Sequence, residues 1–356
     1  MGSSFAFIGA LSLVLKDEGI GAVKGGVIAA GFIYLLMAYL VKVFGVEKIK
    51  SFFPPVVTGP IIMVIGLRMS PVALSMAGYA NGKFDPKSLI IALVVIISMI
   101  SITIMKKSFF RLVPILISVT LGYVVAMFMG LVSFEPIAKA NWIGLSAEAA
   151  NDLFTLPHFS VSAVLAIAPI ALVVFIEHIG DITTNGAVVG KDFFKNPGIH
   201  RTLMGDGVAT IVAGLLGGPA NTTYGENTGV LAVTKVYDPS ILRIAACYAI
   251  VLGLLGKFGV ILQTIPAPVM GGVSIILFGM ISSVGARTLV DAGLDFSNSR
   301  NLIIASLIFV FGIAVDNIVI WKTVSLSGLA LAALAGVVLN KVLPLDREVA
   351  INKKID

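Results

Sequence analysis

Long apolar runs recur along this chain, separated by short charged or Pro/Gly stretches. A helix crosses a bilayer's hydrocarbon with ~20 residues. On that basis the runs predict helical spans near 22–44, 54–77, 88–105, 111–131, 161–188, 202–218, 241–263, 267–286, 301–316 and 325–343. Two further segments, 3–15 and 221–235, are too short or too polar for ordinary spans. Their openings, Ser3-Ser4-Phe5-Ala6-Phe7 and Asn221-Thr222-Thr223-Tyr224-Gly225, read as extended, and each leads into a short apolar helix. Counting both gives twelve membrane segments.

Composition narrows the class. Of 356 residues 58% are hydrophobic and 12% charged, whereas a soluble globular chain carries roughly 25% charged residues. A water-soluble enzyme is excluded, and the expected class is an all-α polytopic membrane protein. The single cysteine, Cys247, rules out an intrachain disulfide and a Cys-based metal cluster. The net charge of +6 is explained by positive-inside bias rather than by nucleic acid. Basic residues collect in alternate connections: Lys42, Lys48 and Lys50; Lys106, Lys107 and Arg111; Lys191, Lys195 and Arg201; Lys235 and Arg243; Arg287 and Arg300; and the tail Lys341, Arg347, Lys353 and Lys354. Acids mark the opposite connections: Asp17, Glu18, Asp85, Glu135, Glu148, Asp152 and Asp316. This asymmetry predicts a cytoplasmic C-terminus, and it holds only if 3–15 and 221–235 are counted as segments. No Walker loop or dinucleotide fingerprint is present, so neither ATP drive nor redox chemistry is expected, and no cofactor or metal.

An internal repeat is visible. Pro55-Val56-Val57-Thr58-Gly59 with Gly66 matches Pro268-Val269-Met270-Gly271-Gly272 with Gly279, and the Ser-Ser-Phe-Ala-Phe stretch matches Thr-Thr-Tyr-Gly. An odd number of segments separates the members of each pair, so the two copies cross the membrane in opposite directions. Inverted repeats with a broken helix in corresponding places point to a secondary transporter with a midplane site.

Charges inside the spans are few: Glu177 and Asp181 in the 161–188 helix, Glu226 at the broken segment, and Arg68 and Asp206 nearer span ends. An intramembrane carboxylate is a functional hypothesis by default, and Glu177 and Asp181, four apart, share a helical face. Glu177 and Glu226 are read as functional. Asp206, close to Arg201, is read as structural, pairing with Arg68 or capping a helix. His178 points away from Glu177 and is read as packed or hydrogen-bonded within the bundle, and Gly21–Gly26 as helix contacts. Extended backbone at membrane depth must pair with another strand or a ligand, and Ser3–Phe7 is the evident partner of 221–225. A helix starting near Glu226 would add N–H donors at its positive end. Carboxylate acceptors with backbone donors suit a planar, neutral heterocycle with alternating N–H and C=O edges, which Tyr224 and Phe5 could flank.

On these residues the chain resembles the nucleobase–ascorbate transporter family, of the bacterial uracil permease type. Glu226-Asn227-Thr228-Gly229 through Thr234-Lys235 fits the family signature, and Phe53–Pro60, Glu177-His178-Ile179-Gly180, Asn196–Arg201 and Pro268–Gly272 are similar to its other motifs. The resemblance covers essentially the whole chain. It implies a proton-coupled nucleobase symporter, not an enzyme, in the inner membrane, built as two inverted sevens and working as a homodimer. It divides the chain into a core domain (1–50 and 161–265), a gate domain (51–160 and 266–343) and a cytoplasmic tail (344–356). By position, Glu177 and Glu226 would hydrogen-bond the base, and the backbones of Phe5 and Gly225 would complete its contacts. Glu177, Asp181 or Glu226 would carry the proton. Two departures stand out. Asp181 occupies a position where the uracil type has His; the purine-transporting branch resembles this sequence there, but has Gln where Glu226 stands. The expected substrate is uracil, with xanthine or another purine as the alternative. The family also has two segments ahead of the Ser-Ser-Phe-Ala-Phe strand. Twelve of fourteen are therefore expected here, through a mis-called start or a truncated and non-functional chain.

Overall fold

The computed structural model describes residues 1–105, 109–145, 147–321 and 324–344. Lys106, Lys107 and the tail carrying Arg347, Lys353 and Lys354 lie outside the described residues, as does the side chain of Glu226. Two compact units are formed, one from Met1–Arg68, Asp152–Gly229 and Ile281–Asp356, the other from Met69–Asn151 and Val230–Met280.

Three two-stranded antiparallel ribbons punctuate an otherwise helical chain among the described residues: β1 (Gly2–Ser3) with β4 (Asn221–Thr222), β2 (Tyr79–Ala80) with β3 (Lys83–Phe84), and β5 (Asn317–Trp321) with β6 (Val324–Ser327). The expected pairing of the two broken segments is thus present, with Gly2 opposite Thr222 and Ser3 opposite Asn221. Both strands are shorter than expected. Phe5–Phe7 closes into a single 3₁₀ turn that buries Phe7 completely, and helix resumes at Gly225.

In the first unit, α1 (Ile8–Phe44) runs 37 residues through one non-helical residue, Gly19 (φ 80°, ψ 179°), which separates the expected 3–15 and 22–44 segments. That φ suits glycine alone. After α2 (Val46–Lys50) and α3 (Pro55–Met76), the unit continues from the last turn of α7 (Ala147–Phe154) into α8 (Val161–Ile167) and α9 (Ile170–Val189). Pro169, lacking an N–H, marks the break between the last two. Then come α10 (Ile199–Leu216) and α11 (Gly225–Thr234), followed by the end of α14 (Ala267–Asp291), α15 (Ser299–Ala314) and α16 (Gly328–Val342). Close backbone approach sets the packing: a Cβ on Gly31 would lie 2.9 Å from Gly207 O, and one on Gly207 would lie 3.1 Å from Gly31 O. Small residues therefore let α1 and α10 touch along their main chains.

The second unit holds α4 (Pro86–Ile104), α5 (Pro114–Phe128), the short α6 (Glu135–Lys139), and α12 (Pro239–Leu254) bent by 83° onto α13 (Gly256–Gln263). Here Gly271 of the repeated Pro-Val-Met-Gly-Gly motif packs on backbone, since a Cβ would lie 2.4 Å from Ala77 N. The β2–β3 hairpin turns at Asn81 (φ 51°) and Gly82 (φ 77°), the positive pair that an Asn-Gly turn of type I′ requires.

Each of the ten predicted spans lies mainly on helix, but 161–188 and 241–263 are each broken into two helices and 325–343 begins in β6. Among the described residues five helices are long and apolar enough to cross a membrane, or six if the bent α12–α13 pair is one span. The chain is an all-α polytopic membrane protein.

Candidate functional site

The site is assembled on one face of α9. Glu177, Asp181 and Asn185 follow one another at four-residue spacing, one turn apart on a common face. Opposite them the broken segment presents β4 and then the start of α11. Thr222 Oγ1 donates to Glu177 Oε2 over a long 3.5 Å, and Thr228 Oγ1 donates to Asn185 Oδ1 at 2.7 Å. Between these two rungs, a Cβ on Gly225 would lie 3.0 Å from Asp181 Oδ1. A carboxylate therefore abuts the first residue of α11, where helix N–H groups lack internal partners and negative charge is favoured. Glu177 and Asp181 are both half-buried.

The two ribbon strands fix the aromatic residues. Ser4 N donates to Ala220 O at 2.9 Å beside the β1–β4 pair. Tyr224 reaches back across it, its hydroxyl donating to Ser3 O at 2.6 Å. Its ring lies nearly parallel to that of Phe5, with 10° between planes and 6.4 Å between centroids. Phe5, Tyr224, Gly225, Glu177 and Asp181, named from sequence, are thus brought to one place. Glu226 is the second residue of α11, and its side chain lies outside the described residues.

Behind β4 stands a buried polar network that the sequence disclosed only in part. His178 Nδ1 lies 2.7 Å from Asp206 Oδ2, with the two side chains 2% and 4% exposed. Thr223 Oγ1 donates to the same carboxylate at 3.2 Å, and Thr210 Oγ1 accepts from Asn221 N at 3.2 Å. On the other side of the ring, His178 Nε2 lies 2.9 Å from Thr202 Oγ1, a hydroxyl also within 2.9 Å of Ile199 O. His178 is hydrogen-bonded in the bundle, as expected. Asp206 is buried by a different partner from the expected Arg68, because α9 and α10 place it against the imidazole. Arg68 instead donates to Gly312 O (2.9 Å) and Val315 O (2.7 Å) at the end of α15 and bridges to Asp316 at 3.2 Å.

Sequence reasoning missed Lys24, which is 1% exposed inside α1. Its signal was a lone charge within an apolar, glycine-rich run. The Gly21–Gly26 run it interrupts is only partly a helix contact: Gly26 faces α8 through Ala163 and Ile167, whereas Gly21 and Gly25 meet the main chain of 156–158. Among the described residues no three His, Cys, Asp or Glu side chains are grouped to hold a metal ion.

A family model described as the Permease family (Xan_ur_permease) matches residues 1–319. The chain is also similar to curated proteins. The uracil permease of Bacillus subtilis (strain 168) is 41% identical over 354 residues, covering 98% of this chain and 81% of the relative. That of Bacillus caldolyticus is 40% identical over 349 residues, 97% and 80% of the two chains. That of Escherichia coli (strain K12) is 38% identical over 348 residues, 97% and 79%.

Proposed function

We propose, from the premise that this chain belongs to the Permease family, that it is a secondary active transporter taking up uracil together with protons across the cytoplasmic membrane. The observation that carries the reading is the face of α9. Two half-buried carboxylates, Glu177 and Asp181, stand beside a strand pair and the start of a broken helix. That set offers acceptors for ring N–H groups and main-chain donors for ring carbonyls, the alternation a pyrimidine dione carries on its edge. The names of the relatives agree with such a substrate. Phe5 and Tyr224, with nearly parallel rings, would flank the base. Glu177 and Glu226 would hydrogen-bond it, and the backbones of Phe5 and Gly225 would complete its contacts.

The proton would travel on Glu177, Asp181 or Glu226. The His178–Asp206 pair is a poor carrier, because its members are buried and matched to each other at 2.7 Å behind β4. A core of 1–50 with 161–265, moving against a gate of 51–160 with 266–343, belongs to the same proposal. So do a homodimer, a cytoplasmic C-terminus and the proton gradient as the driving force without any cofactor. The rival substrate is xanthine, favoured by Asp181 alone. Uptake of radiolabelled uracil by cells carrying this chain, challenged with unlabelled uracil or xanthine, separates the two. The proposal expects uracil to compete and xanthine to leave uptake unchanged; the reverse order would reject it.

A further inference from the structure

Lys24 has no part in the site described above, yet it lies fully inside α1 among the buried residues Ala22, Val23, Gly25, Gly26 and Val27. Its Nζ donates to three main-chain carbonyls, Asp152 O at 2.6 Å, Leu153 O at 3.1 Å and Thr155 O at 2.7 Å. An ammonium has three donors, and all are used. Asp152 and Leu153 lie in the last turn of α7 and Thr155 follows it, where helix C=O groups lack internal partners and carry partial negative charge. The stem of the same side chain passes the end of α10: a Cβ on Gly217, its left-handed cap at φ 89°, would lie 3.4 Å from Lys24 Cε. One buried cation therefore stands where two helices finish.

The chain beyond the clasp is held along α1. His158 N donates to Gly21 O at 2.8 Å, and a Cβ on Gly25 would fall 2.2 Å from His158 O. Glu18 accepts from the hydroxyls of both Ser160 and Ser162 at the start of α8. From there the chain runs through α8 into α9 and Glu177, while α10 runs from Gly217 into β4, and α1 itself follows β1. Each element that bears the site is thus joined along the chain to a segment that carries or touches Lys24.

We propose that Lys24 is a positioning residue, a covalently tethered cation that pins residues 152–160 and the end of α10 to α1. By doing so it sets Glu177 against the β1–β4 crossing. The effect on substrate rests on the uracil reading given above; the clasp does not. Removing the ammonium takes its donors away from three part-buried carbonyls at once, the costly direction of hydrogen-bond loss.

The test uses the full chain purified in detergent, with two readouts on the folded fraction: amide hydrogen exchange over 153–163 and binding of radiolabelled uracil. Lys24→Met keeps the length and removes the charge. The proposal expects faster exchange, the His158 amide included, and uracil binding weaker by on the order of tenfold, about 1.4 kcal/mol. Lys24→Ala, prepared with methylammonium chloride, covers the case in which the Met variant does not fold. Methylammonium should restore both readouts, and choline chloride at the same concentration should not. Unchanged exchange in Lys24→Met would overturn the clasp. Faster exchange with wild-type uracil affinity would overturn the positioning role. Absence of uracil binding by the unmutated chain would instead refute the substrate reading, and the exchange readout alone would then decide the clasp.

Discussion

Replacing Asp206 by Ala removes one half of a pair whose members are 2% and 4% exposed and 2.7 Å apart. Two groups lose that partner together, the His178 ring at Nδ1 and the Thr223 hydroxyl, and keep only each other at 3.2 Å. Breaking a buried pair from one side costs roughly 3–5 kcal/mol, because the survivor stays buried and unmatched. His178→Ala strands the carboxylate, which keeps only Thr223, and the expected cost lies in the same range of about 3–5 kcal/mol. The double variant removes both and leaves neither stranded, so its cost falls short of the sum. Equilibrium unfolding in mixed micelles, run as a double-mutant cycle, is expected to return a coupling energy of about 1.5–3 kcal/mol. Asp206→Asn, which can still hydrogen-bond Nδ1, is expected to lose less than Asp206→Ala. Costs that add within about 0.5 kcal/mol, or an Asn variant as damaged as the Ala variant, would refute the pairing.

Gly271→Ala must place a methyl 2.4 Å from Ala77 N, and overpacking against backbone is expected to cost about 1–3 kcal/mol, read as a lowered unfolding temperature in detergent. Arg68→Lys exchanges a planar fork on Gly312 O, Val315 O and Asp316 for a single ammonium. The loss of satisfied carbonyls is expected to cost about 1–3 kcal/mol in the same assay. Asp85, the N-cap of α4, is held below the ordinary Asp value of 3.8 by the Ser88 amide and hydroxyl. A depressed value stabilises the fold above the unfolded-state pKa and loses that contribution as pH falls through the folded one. Asp85→Asn should therefore flatten the acid limb of stability below about pH 4 and leave the pH dependence of melting near neutrality unchanged.

Much of this fold was legible because lipid imposes a simple rule: apolar runs become helix and charges go to the ends. The ten spans and the pairing of Gly2–Ser3 with Asn221–Thr222 followed from that rule and from the repeat. Glu177, Asp181, Phe5, Tyr224 and Gly225 were findable because a polar or extended stretch in hydrocarbon must be matched. What remained hidden were matches made by the main chain. Lys24 is satisfied by carbonyls, which carry no residue-type signature. Arg68 likewise turned to the end of α15 rather than to a membrane acid. The hydroxyls of Thr202, Thr210 and Thr223 read as ordinary helix or loop residues until the strand was placed among them. The Asn81-Gly82 hairpin was signalled in the sequence and passed over, since it lies in a connection.

The central claim is that the face of α9 binds a pyrimidine base and takes up a proton with it. Uptake of radiolabelled uracil into proteoliposomes carrying this chain, driven by an imposed pH gradient, measures both at once for the unmutated protein and for Glu177→Gln. The account predicts accumulation that collapses with the gradient in the unmutated protein and is lost in Glu177→Gln. Accumulation indifferent to the gradient, or undiminished in Glu177→Gln, would contradict it.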